Sequence, residues 1–554
     1  MAARRHSLTT SIAKLHGDEQ VVGAPLTPTE LIALGRTRLF GATGTVLMAI
    51  GALGAGARPV VQDPTFGVRL LNLPSRIQTV ALTMTTTGAV MMALAWLMLG
   101  RFALGSRRMS RGDLDRTLML WILPLLLAPP MYSKDVYSYL AQSQIARDGL
   151  DPYRVGPASG LGLSHEFTLS VPSLWRETPA PYGPLFLWIG RGISALTGEN
   201  VVAAVLCHRL VVLAGVVLIV WATPRLARRC GVADVSALWL GAANPLLIMH
   251  LVAGVHNEAL MLGLMLSGVE YALRGLDSLP GPGRRPWLTL IAGAVLIVLS
   301  CQVKLPSLLA LGFVTMALAY RFGGTLKTLL LSGGAMAALA LGVMALVGWA
   351  SGLGFGWLFT LGTANVVRSW MSPPTLLALA TGRIGVLLGL GDHTTAVLGL
   401  TRGIGVLTIA VAVIWLLVAV FRGWLNPIGG LGVALGITVL LFPVVQPWYL
   451  LWAIIPLAAW ATRPGFRVAV IAVTLLIGIF GPTANGDRFA LFQIIDATVA
   501  SAVIVGALIA ATHRRLPWRE LLADIARAND EGAHPGPPAT QRPAPAPDAY
   551  AEST

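Results

Sequence analysis

The sequence predicts an all-α, polytopic integral membrane protein, and three observations support this prediction. Of the 554 residues, 55% are hydrophobic and only 12% are charged. The mean hydropathy is +0.72, and apolar runs recur along most of the chain. Because a soluble domain carries about 25% charged residues, this composition excludes a soluble enzyme, a disordered chain and a disulfide scaffold.

The apolar runs predict a bundle of about 12–14 transmembrane helices, since a spanning helix needs about 20 mostly apolar residues. The approximate bounds of the runs are 38–57, 77–99, 117–131, 201–223, 236–253, 258–273, 287–302, 305–320, 325–349, 403–421, 428–444, 448–462, 467–482 and 489–511. We therefore expect an N-terminal segment over 1–37, a transmembrane domain over 38–513 and a tail over 514–554. The tail is rich in Pro and Ala, which predicts that it is mostly disordered.

The formal net charge of +15 has two interpretations, nucleic-acid binding or basic loops at the cytoplasmic face of a membrane. The second fits better, because basic residues concentrate in short connections between the apolar runs. These connections are 101–116, 225–229, 284–285, 321–327, 463–467 and 514–515. They predict that both termini are cytoplasmic and that the long connection 132–200 is external. Two shorter apolar segments, 184–197 and 375–390, are then expected to lie at the outer interface.

The external connection begins with a stretch that suits catalysis. If residues 132–148 are helical, Tyr132, Asp135 and Tyr139 share one face. Burial between aromatic rings would raise the pKa of the Asp135 carboxyl, and such a group can accept a proton from a sugar hydroxyl. The alternative is an ordinary interfacial helix, with Asp135 as a solvated cap and the tyrosines as an interfacial belt.

Three consecutive polar residues, His256, Asn257 and Glu258, follow a predicted span at the external side. Charged groups beside apolar spans are costly and mark functional sites. The three side chains could orient a sugar, bind a divalent cation or cap the next helix. A metal is the weaker expectation, because three adjacent helical residues cannot all face one ion.

Several cationic residues interrupt or border apolar runs. Lys304 lies between two spans, Arg209 follows His208 inside the span that begins at Val201, and Arg368 lies in a predicted external connection. Arginine and lysine at the outer leaflet suit a lipid-linked phosphate. The alternative is contact with ordinary phospholipid headgroups.

Aromatic residues mark a second external corner. Trp448 and Tyr449 follow Pro447 there and could stack on a sugar or an isoprenoid chain, or serve only as interfacial aromatics. The chain carries no GxxxxGK[ST] phosphate loop and no GxGxxG turn of a dinucleotide-binding fold. An enzyme of this kind must therefore take its activated substrate from the membrane.

These motifs, in this order, resemble those of the GT-C glycosyltransferases. The resemblance is carried by Asp135 in the long loop, Tyr182-Gly-Pro-Leu, Asn244-Pro-Leu-Leu, Gly254-Val-His-Asn-Glu, Lys304 and Pro447-Trp-Tyr-Leu-Leu-Trp. Within that superfamily the chain is similar to the actinobacterial alpha-(1→6)-mannopyranosyltransferases of lipomannan and lipoarabinomannan synthesis. The resemblance covers about residues 40–510. In GT-C enzymes the catalytic acid often follows the first span, whereas Asp135 follows the third predicted span.

The resemblance implies an inverting transfer of mannose from polyprenyl-phosphate-mannose to the 6-hydroxyl of a lipid-anchored mannan at the outer face of the plasma membrane. Asp135 would be the base, and Lys304, Arg209 and Arg368 would hold the donor phosphate. Contacts with sugar or acceptor would come from His256, Asn257, Glu258, Tyr132, Tyr139, Trp448 and Tyr449. No cofactor is implied, and a divalent cation stays open.

Three other interpretations remain. The first is a GT-C transferase for another lipid-linked sugar, because no residue pattern defines the sugar's stereochemistry. The second is a flippase or transporter of lipid-linked sugars, although the polar residues gather at the outer face and no internal repeat is visible. The third is a membrane scaffold, which does not explain the charges between apolar spans.

Overall fold

The computed structural model describes residues 12–17, 19, 21–279, 283–362, 367–481 and 489–518. Within them the fold is all-α, as predicted, apart from a parallel pair of two-residue strands, β1 (Ala24–Pro25) and β2 (Arg107–Arg108). The helices are α1 Pro28–Ala55, α2 Leu73–Arg76, α3 Gln78–Leu104, α4 Arg111–Ile122, α5 Asp135–Arg147, α6 Pro157–Leu161, α7 Glu166–Ser170, α8 Pro184–Thr197, α9 Val201–Arg229, α10 Asp234–Leu240, α11 Glu258–Asp277, α12 Arg285–Cys301, α13 Leu309–Arg321, α14 Leu326–Ser351, α15 Pro373–Leu387, α16 Thr394–Phe421, α17 Pro427–Leu441, α18 Leu450–Ala458, α19 Pro464–Phe480 and α20 Leu491–Thr512.

Seven helices in the described chain are long and apolar enough to cross a membrane: α1, α3, α9, α11, α14, α16 and α20. Five shorter apolar helical segments accompany them: Arg285–Cys301, Leu305–Arg321, Pro427–Leu441, Pro447–Ala458 and Pro464–Phe480. These elements confirm the predicted polytopic, all-α membrane fold. The predicted disordered tail lies almost wholly outside the described residues.

The first long helix begins ten residues earlier than the apolar run predicts. Thr27 and Glu30 form a capping box, in which the Glu30 N–H donates to Thr27 Oγ1 (3.3 Å) and the Thr27 N–H donates to Glu30 Oε2 (2.8 Å). Pro28 occupies the first helical position, where its missing N–H has no cost. The polar residues after Thr27 therefore extend α1 below the apolar run.

Two predicted spans are not continuous helices. Over 117–131, α4 ends at Ile122 and a 3₁₀ turn follows, because Pro124 lacks the N–H that an α-helix needs. Over 236–253, α10 ends at Leu240, and a π-helical segment follows at Leu247–Ala253. Asn244 before Pro245 causes this break: its Oδ1 accepts from the Leu246 N–H (2.9 Å). Both breaks lie close to the site described below.

Helices α1 and α3 pack through small residues. The backbones of Gly44 and Gly88 approach so closely that a Cβ on Gly44 would lie 2.7 Å from the Gly88 carbonyl oxygen. Farther along α3, the indoles of Trp96 and Trp239 stack, with ring centroids 5.0 Å apart. Each indole N–H donates to the other residue's carbonyl oxygen, which fixes α10 against α3.

The two ends of the bundle differ in chemistry. At one end Glu19 pairs with Arg108 (3.3 Å) and Arg467 (3.0 Å), so the N-terminal segment joins two of the basic connections. The other end lies one 28-residue helix away, about 42 Å along α1. There the Tyr137 hydroxyl donates to the carbonyl oxygen of Ala57, just past the end of α1. The connection 132–200 folds at this second end as α5, α6, α7 and α8.

The close approach of α1 to α3 predicts opposite effects of one substitution at two glycines of α1. Gly44→Ala places a methyl group against backbone atoms of α3 and should lower the free energy of unfolding by about 1–3 kcal/mol. Gly35→Ala, where nothing lies within 4 Å, should raise it by about 0.5–1 kcal/mol through helix propensity. Thermal unfolding of both variants in detergent micelles measures the difference. Equal shifts would contradict this packing.

Candidate functional site

A cleft lies at the end of the bundle that carries connection 132–200. Its volume is about 740 Å³, counting its open mouth. The start of α5, the loop before α8, the junction of α12 with the next 3₁₀ turn and the turn before α18 form its walls. The lining includes Asp135, Ser138, Gln142, Trp175, Tyr182, Val367, Val444, Lys304, Trp448 and Tyr449.

Asp135 is the first residue of α5, and its side chain is 26% exposed toward the cleft. The Asp135 N–H donates to Ser133 Oγ (3.0 Å), which helps to start the helix. One carboxylate oxygen, Oδ2, lies 3.6 Å from His256 Nε2. A carboxylate at a helix N-terminus is also stabilised by the helix dipole. These features favour the ionised form.

The predicted upward shift of the Asp135 pKa is wrong. Burial alone would raise the pKa of Asp135, but the interaction with His256 and the positive charge of Lys304 outweigh burial and lower it below the ordinary value. The sequence shows the aromatic residues near Asp135 but does not reveal that His256 and Lys304 lie beside the carboxylate. Asp135 is therefore an ionised, proton-accepting group at neutral pH.

The expected face of Tyr132, Asp135 and Tyr139 does not form. Tyr132 precedes α5 and has φ +66°, a left-handed conformation that a helix cannot contain. Its ring packs against His250, with centroids 5.3 Å apart. Tyr139 does lie on α5, but its ring is buried edge-on against Tyr182, away from the lining of the cleft.

His256 connects the π-helical segment to the cleft wall. Val255 before it has φ +58°, a strained conformation for a β-branched residue that turns the chain sharply. The Nδ1 atom of His256 lies 2.7 Å from the His250 carbonyl oxygen, which can only accept, so Nδ1 carries a hydrogen. The opposite nitrogen, Nε2, can present a hydrogen to Asp135 only in the cationic ring. The imidazole also stacks on Trp448, with centroids 3.7 Å apart.

Glu258 and Lys304 form a buried ion pair behind the cleft. The Lys304 ammonium donates to Glu258 Oε1 and to the Tyr449 hydroxyl, the latter at 3.2 Å. The Trp448 indole N–H donates to the same Glu258 oxygen (3.0 Å). Glu258 is fully buried, whereas 18% of the Lys304 side chain is exposed. The cation therefore reaches the cleft and the acid does not.

Helix capping does not explain the three consecutive polar residues. Asn257 occupies the position before α11, but its side chain makes no capping hydrogen bond. The amide is 1% exposed, and neither of its polar atoms has a partner among the described residues. His256, Asn257 and Glu258 form a buried layer behind the lining residues, and their predicted contacts with sugar remain a prediction.

Charge and burial set the protonation of two more groups in the cleft. Burial would lower the pKa of Lys304, but the adjacent Glu258 carboxylate and Tyr449 raise it, so the ammonium stays charged. Burial, reinforced by the Asp135 and Glu258 carboxylates, raises the pKa of Tyr182 well above its ordinary value. The Tyr182 hydroxyl therefore remains a neutral hydrogen-bond donor.

The other two predicted phosphate ligands lie outside the cleft lining. Arg209 is 2% exposed inside α9, and its guanidinium donates to the Leu126 carbonyl oxygen (2.6 Å). It borders a separate cavity, because its position along α9 places it beside the break after α4. Arg368 is exposed next to Val367, a residue of the cleft wall. Of the three predicted cations, the structure thus places Lys304 alone in the lining of the cleft.

Several residues that line the cleft were not among the predicted site residues, including the polar or aromatic side chains of Ser138, Gln142, Trp175 and Tyr182. Ser138 and Gln142 follow Asp135 at the helical spacing i+3 and i+7, so a search forward from Asp135 on α5 would have found them. Trp175 ends a three-residue 3₁₀ turn and Tyr182 lies in the loop before α8, so no periodicity in the sequence signals their orientation.

A metal centre has no visible ligand set in the described part of the chain, where no group of three or more His, Cys, Asp or Glu side chains is arranged to hold an ion. The charged atoms that face the cleft are a carboxylate and an ammonium. One can accept a proton and the other can neutralise an anion, which is the minimum for displacement of a phosphate leaving group.

Comparison with known proteins gives two family matches. Residues 38–320 match the family described as "Alpha-(1→6)-mannopyranosyltransferase, N-terminal domain", and residues 374–510 match the "MptB C-terminal domain". No solved structure matches the chain.

Curated relatives agree with these matches. An alpha-(1→6)-mannopyranosyltransferase of Mycobacterium tuberculosis is 76% identical, with 100% of both chains covered. A probable alpha-(1→6)-mannopyranosyltransferase of Mycolicibacterium smegmatis is 73% identical over the same share. Alpha-(1→6)-mannopyranosyltransferase B of Corynebacterium glutamicum is 39% identical over 84% of this chain and 79% of its own length.

The contact between His256 and Asp135 predicts the direction of a pKa change. His256→Gln removes the imidazole that lowers the pKa of Asp135 but keeps a donor for the His250 carbonyl oxygen, so the pKa of Asp135 should rise. Infrared titration of the carboxyl band, with the Asp135→Asn spectrum subtracted, measures it. His208→Gln, which alters another buried histidine, is the control and should leave the pKa of Asp135 unchanged. An unchanged or lower pKa in His256→Gln would refute this electrostatic account.

Proposed function

Because the chain belongs to the alpha-(1→6)-mannopyranosyltransferase family, we propose that it transfers mannose from polyprenyl-phosphate-mannose to the 6-hydroxyl of a lipid-anchored alpha-(1→6) mannan. Family membership confirms the predicted enzyme class, a glycosyltransferase. The lipid-linked donor, the inverting mechanism and the outer-face location are the further content of the proposal.

The observation that carries the proposal is the pairing of Asp135 and Lys304 in one cleft. The Asp135 carboxylate accepts the proton of the acceptor 6-hydroxyl as its oxygen attacks the anomeric carbon. The bond from that carbon to the phosphate oxygen breaks, and polyprenyl phosphate leaves with the electron pair. The Lys304 ammonium donates to Glu258 and Tyr449 and has a further N–H group for the phosphate. Its positive charge stabilises the negative charge of the leaving phosphate.

The different positions of Asp135, which lines the cleft, and Glu258, which is buried behind it, support an inverting mechanism. Retention by double displacement, as in most retaining glycosidases, uses a second carboxylate that attacks the anomeric carbon. Glu258 is fully buried and accepts from Lys304 and Trp448, so it cannot reach a sugar in the cleft. Among the described residues that line the cleft, Asp135 is the one carboxylate. A single displacement converts a beta-linked donor into an alpha-linked product.

The surroundings of the cleft suit a lipid-linked donor. Val367 and Val444 form an apolar wall, and Thr375 at the start of α15 donates to the carbonyl oxygen of Pro443 (2.8 Å). Leu376 and Leu377, on the same helix, are about half exposed. This apolar surface gives a prenyl chain a path from the membrane to the cleft, while Trp448 and Tyr449 offer aromatic surfaces to the sugar or the first isoprene units.

The basic connections at one end of the bundle support an external location for the cleft. Arg108 and Arg467 meet the N-terminal segment at one end, and Arg36 of α1 donates to the carbonyl oxygen of Arg515 there. The positive-inside rule assigns this basic end to the cytoplasm. The cleft, at the opposite end of α1, then faces the exterior of the plasma membrane. Its position at one end, not midway along the spans, also favours a transferase over a flippase.

The proposal predicts that Asp135→Asn abolishes transfer without loss of donor binding. Asparagine keeps the size of the side chain but cannot take the proton, so turnover should fall by about 10²–10⁴-fold. Purified protein is assayed with polyprenyl-phosphate-mannose and a short alpha-(1→6) mannoside, and donor affinity is measured separately. Asp148→Asn, at the exposed end of the same helix, is the matched control.

Three outcomes contradict parts of the proposal. Full turnover in Asp135→Asn would exclude Asp135 as the base. Transfer from another lipid-linked sugar but not from the mannosyl donor would change the substrate. A wild-type protein that moves lipid-linked mannose between leaflets without transferring it would identify a flippase.

A further inference from the structure

One face of α5 presents uncharged polar groups to the cleft beyond Asp135. Ser138 and Gln142 follow the acid at i+3 and i+7, and all three line the cleft. With a rise of 1.5 Å per residue, Ser138 lies about 4.5 Å and Gln142 about 10 Å from Asp135 along the helix axis. Two uncharged hydrogen-bonding side chains therefore follow the carboxylate along the wall that α5 contributes to the cleft.

Both side chains have unused hydrogen-bonding capacity. Ser138 is 4% exposed and Gln142 is 2% exposed. Ser138 Oγ and Gln142 Oε1 have no hydrogen-bond partner in the described part of the protein. Buried polar atoms are nearly always satisfied, because each unpaired one costs about 1–3 kcal/mol. Two such atoms on residues that line one cleft indicate that a bound polar molecule supplies their missing hydrogen-bond partners.

The adjacent wall suits a sugar ring. Trp175, from the loop before α8, lines the same cleft and is half-buried, so part of its indole is accessible. An aromatic face packs on the C–H surface of a pyranose, while hydroxyl and amide groups bond its hydroxyls. The charged part of the cleft, with Lys304, suits a phosphate. The neutral part, with Ser138 and Gln142, suits an uncharged sugar.

We propose that Ser138, Gln142 and Trp175 form the subsite for the terminal mannose of the acceptor, an inference that rests on the proposed transferase function. In an inverting displacement the attacking oxygen and the leaving phosphate lie on opposite sides of the anomeric carbon. The acceptor therefore approaches along α5 from Asp135, on the side away from the Lys304 ammonium. Ser138 and Gln142 are positioning residues: they hold the 6-hydroxyl against Asp135 through other hydroxyls of the same ring.

The test measures the Michaelis constants for acceptor and donor separately. Gln142→Leu and Ser138→Ala should each raise the acceptor KM by about 3- to 10-fold, the loss of one hydrogen bond, and change the donor KM less than twofold. Gln144→Leu is the matched control. Its amide bonds Ser194 and Asp148 outside the cleft, so the substitution should affect stability but not acceptor KM.

Monodeoxy acceptors supply a second measurement. Wild type should discriminate against at least one of the 2-, 3- and 4-deoxy alpha-(1→6) mannosides, and Gln142→Leu should remove that discrimination, since variant and analogue delete the same bond. If Gln142→Leu does not fold, Ser138→Ala decides by the same criterion. The proposed subsite would be overturned by an unchanged acceptor KM in the variants or by a rise in the donor KM alone. It would also be overturned if the effects of the substitution and of every deoxy analogue were additive. If wild type transfers no mannose from the lipid-linked donor, the proposed function itself fails.

Discussion

The buried ion pair between Glu258 and Lys304 is the constraint on which the site depends. The attraction between two buried charges offsets the cost of removing them from water only when the geometry is good and further hydrogen bonds support the pair. Here Glu258 Oε1 accepts from Lys304 and from Trp448, and Lys304 also donates to Tyr449, whereas Glu258 Oε2 has no partner among the described residues. The pair joins the start of α11, the junction after α12 and the turn before α18. Displacement of α11 or of the junction after α12 would leave a charge unpaired in the interior, and displacement of the turn before α18 would remove the hydrogen bonds of Trp448 and Tyr449 to the pair.

This requirement of folding also organises the chemistry. Glu258 is held permanently as the counter-ion of Lys304, which leaves Asp135 as the carboxylate free to act in the cleft. His256 stacks on Trp448 and faces Asp135, so the group that lowers the pKa of Asp135 is positioned by the same turn whose Trp448 donates to Glu258. In the proposed mechanism, these donors and charges would already be in place when substrate binds, which is the arrangement that electrostatic catalysis requires.

Sequence reasoning predicted the parts that follow from composition and from the cost of charge in lipid. The all-α membrane fold followed from hydropathy, and Lys304 and Glu258 were recognised because ionised groups beside apolar spans are rarely incidental. Properties that depend on tertiary contacts were not predictable. The left-handed backbone of Tyr132 breaks the expected face, Arg209 borders another cavity, and Ser138 is uncharged and attracts no notice until the cleft is seen.

The most direct test of the central claim is a structure of the protein with a stable phosphonate analogue of polyprenyl-phosphate-mannose, determined by electron cryomicroscopy in lipid nanodiscs. The account predicts the phosphonate within hydrogen-bond distance of Lys304 Nζ, the anomeric carbon facing Asp135, and the Glu258–Lys304 pair intact. A phosphonate seated in the cavity beside Arg209, or at the basic end near Arg108, would contradict it.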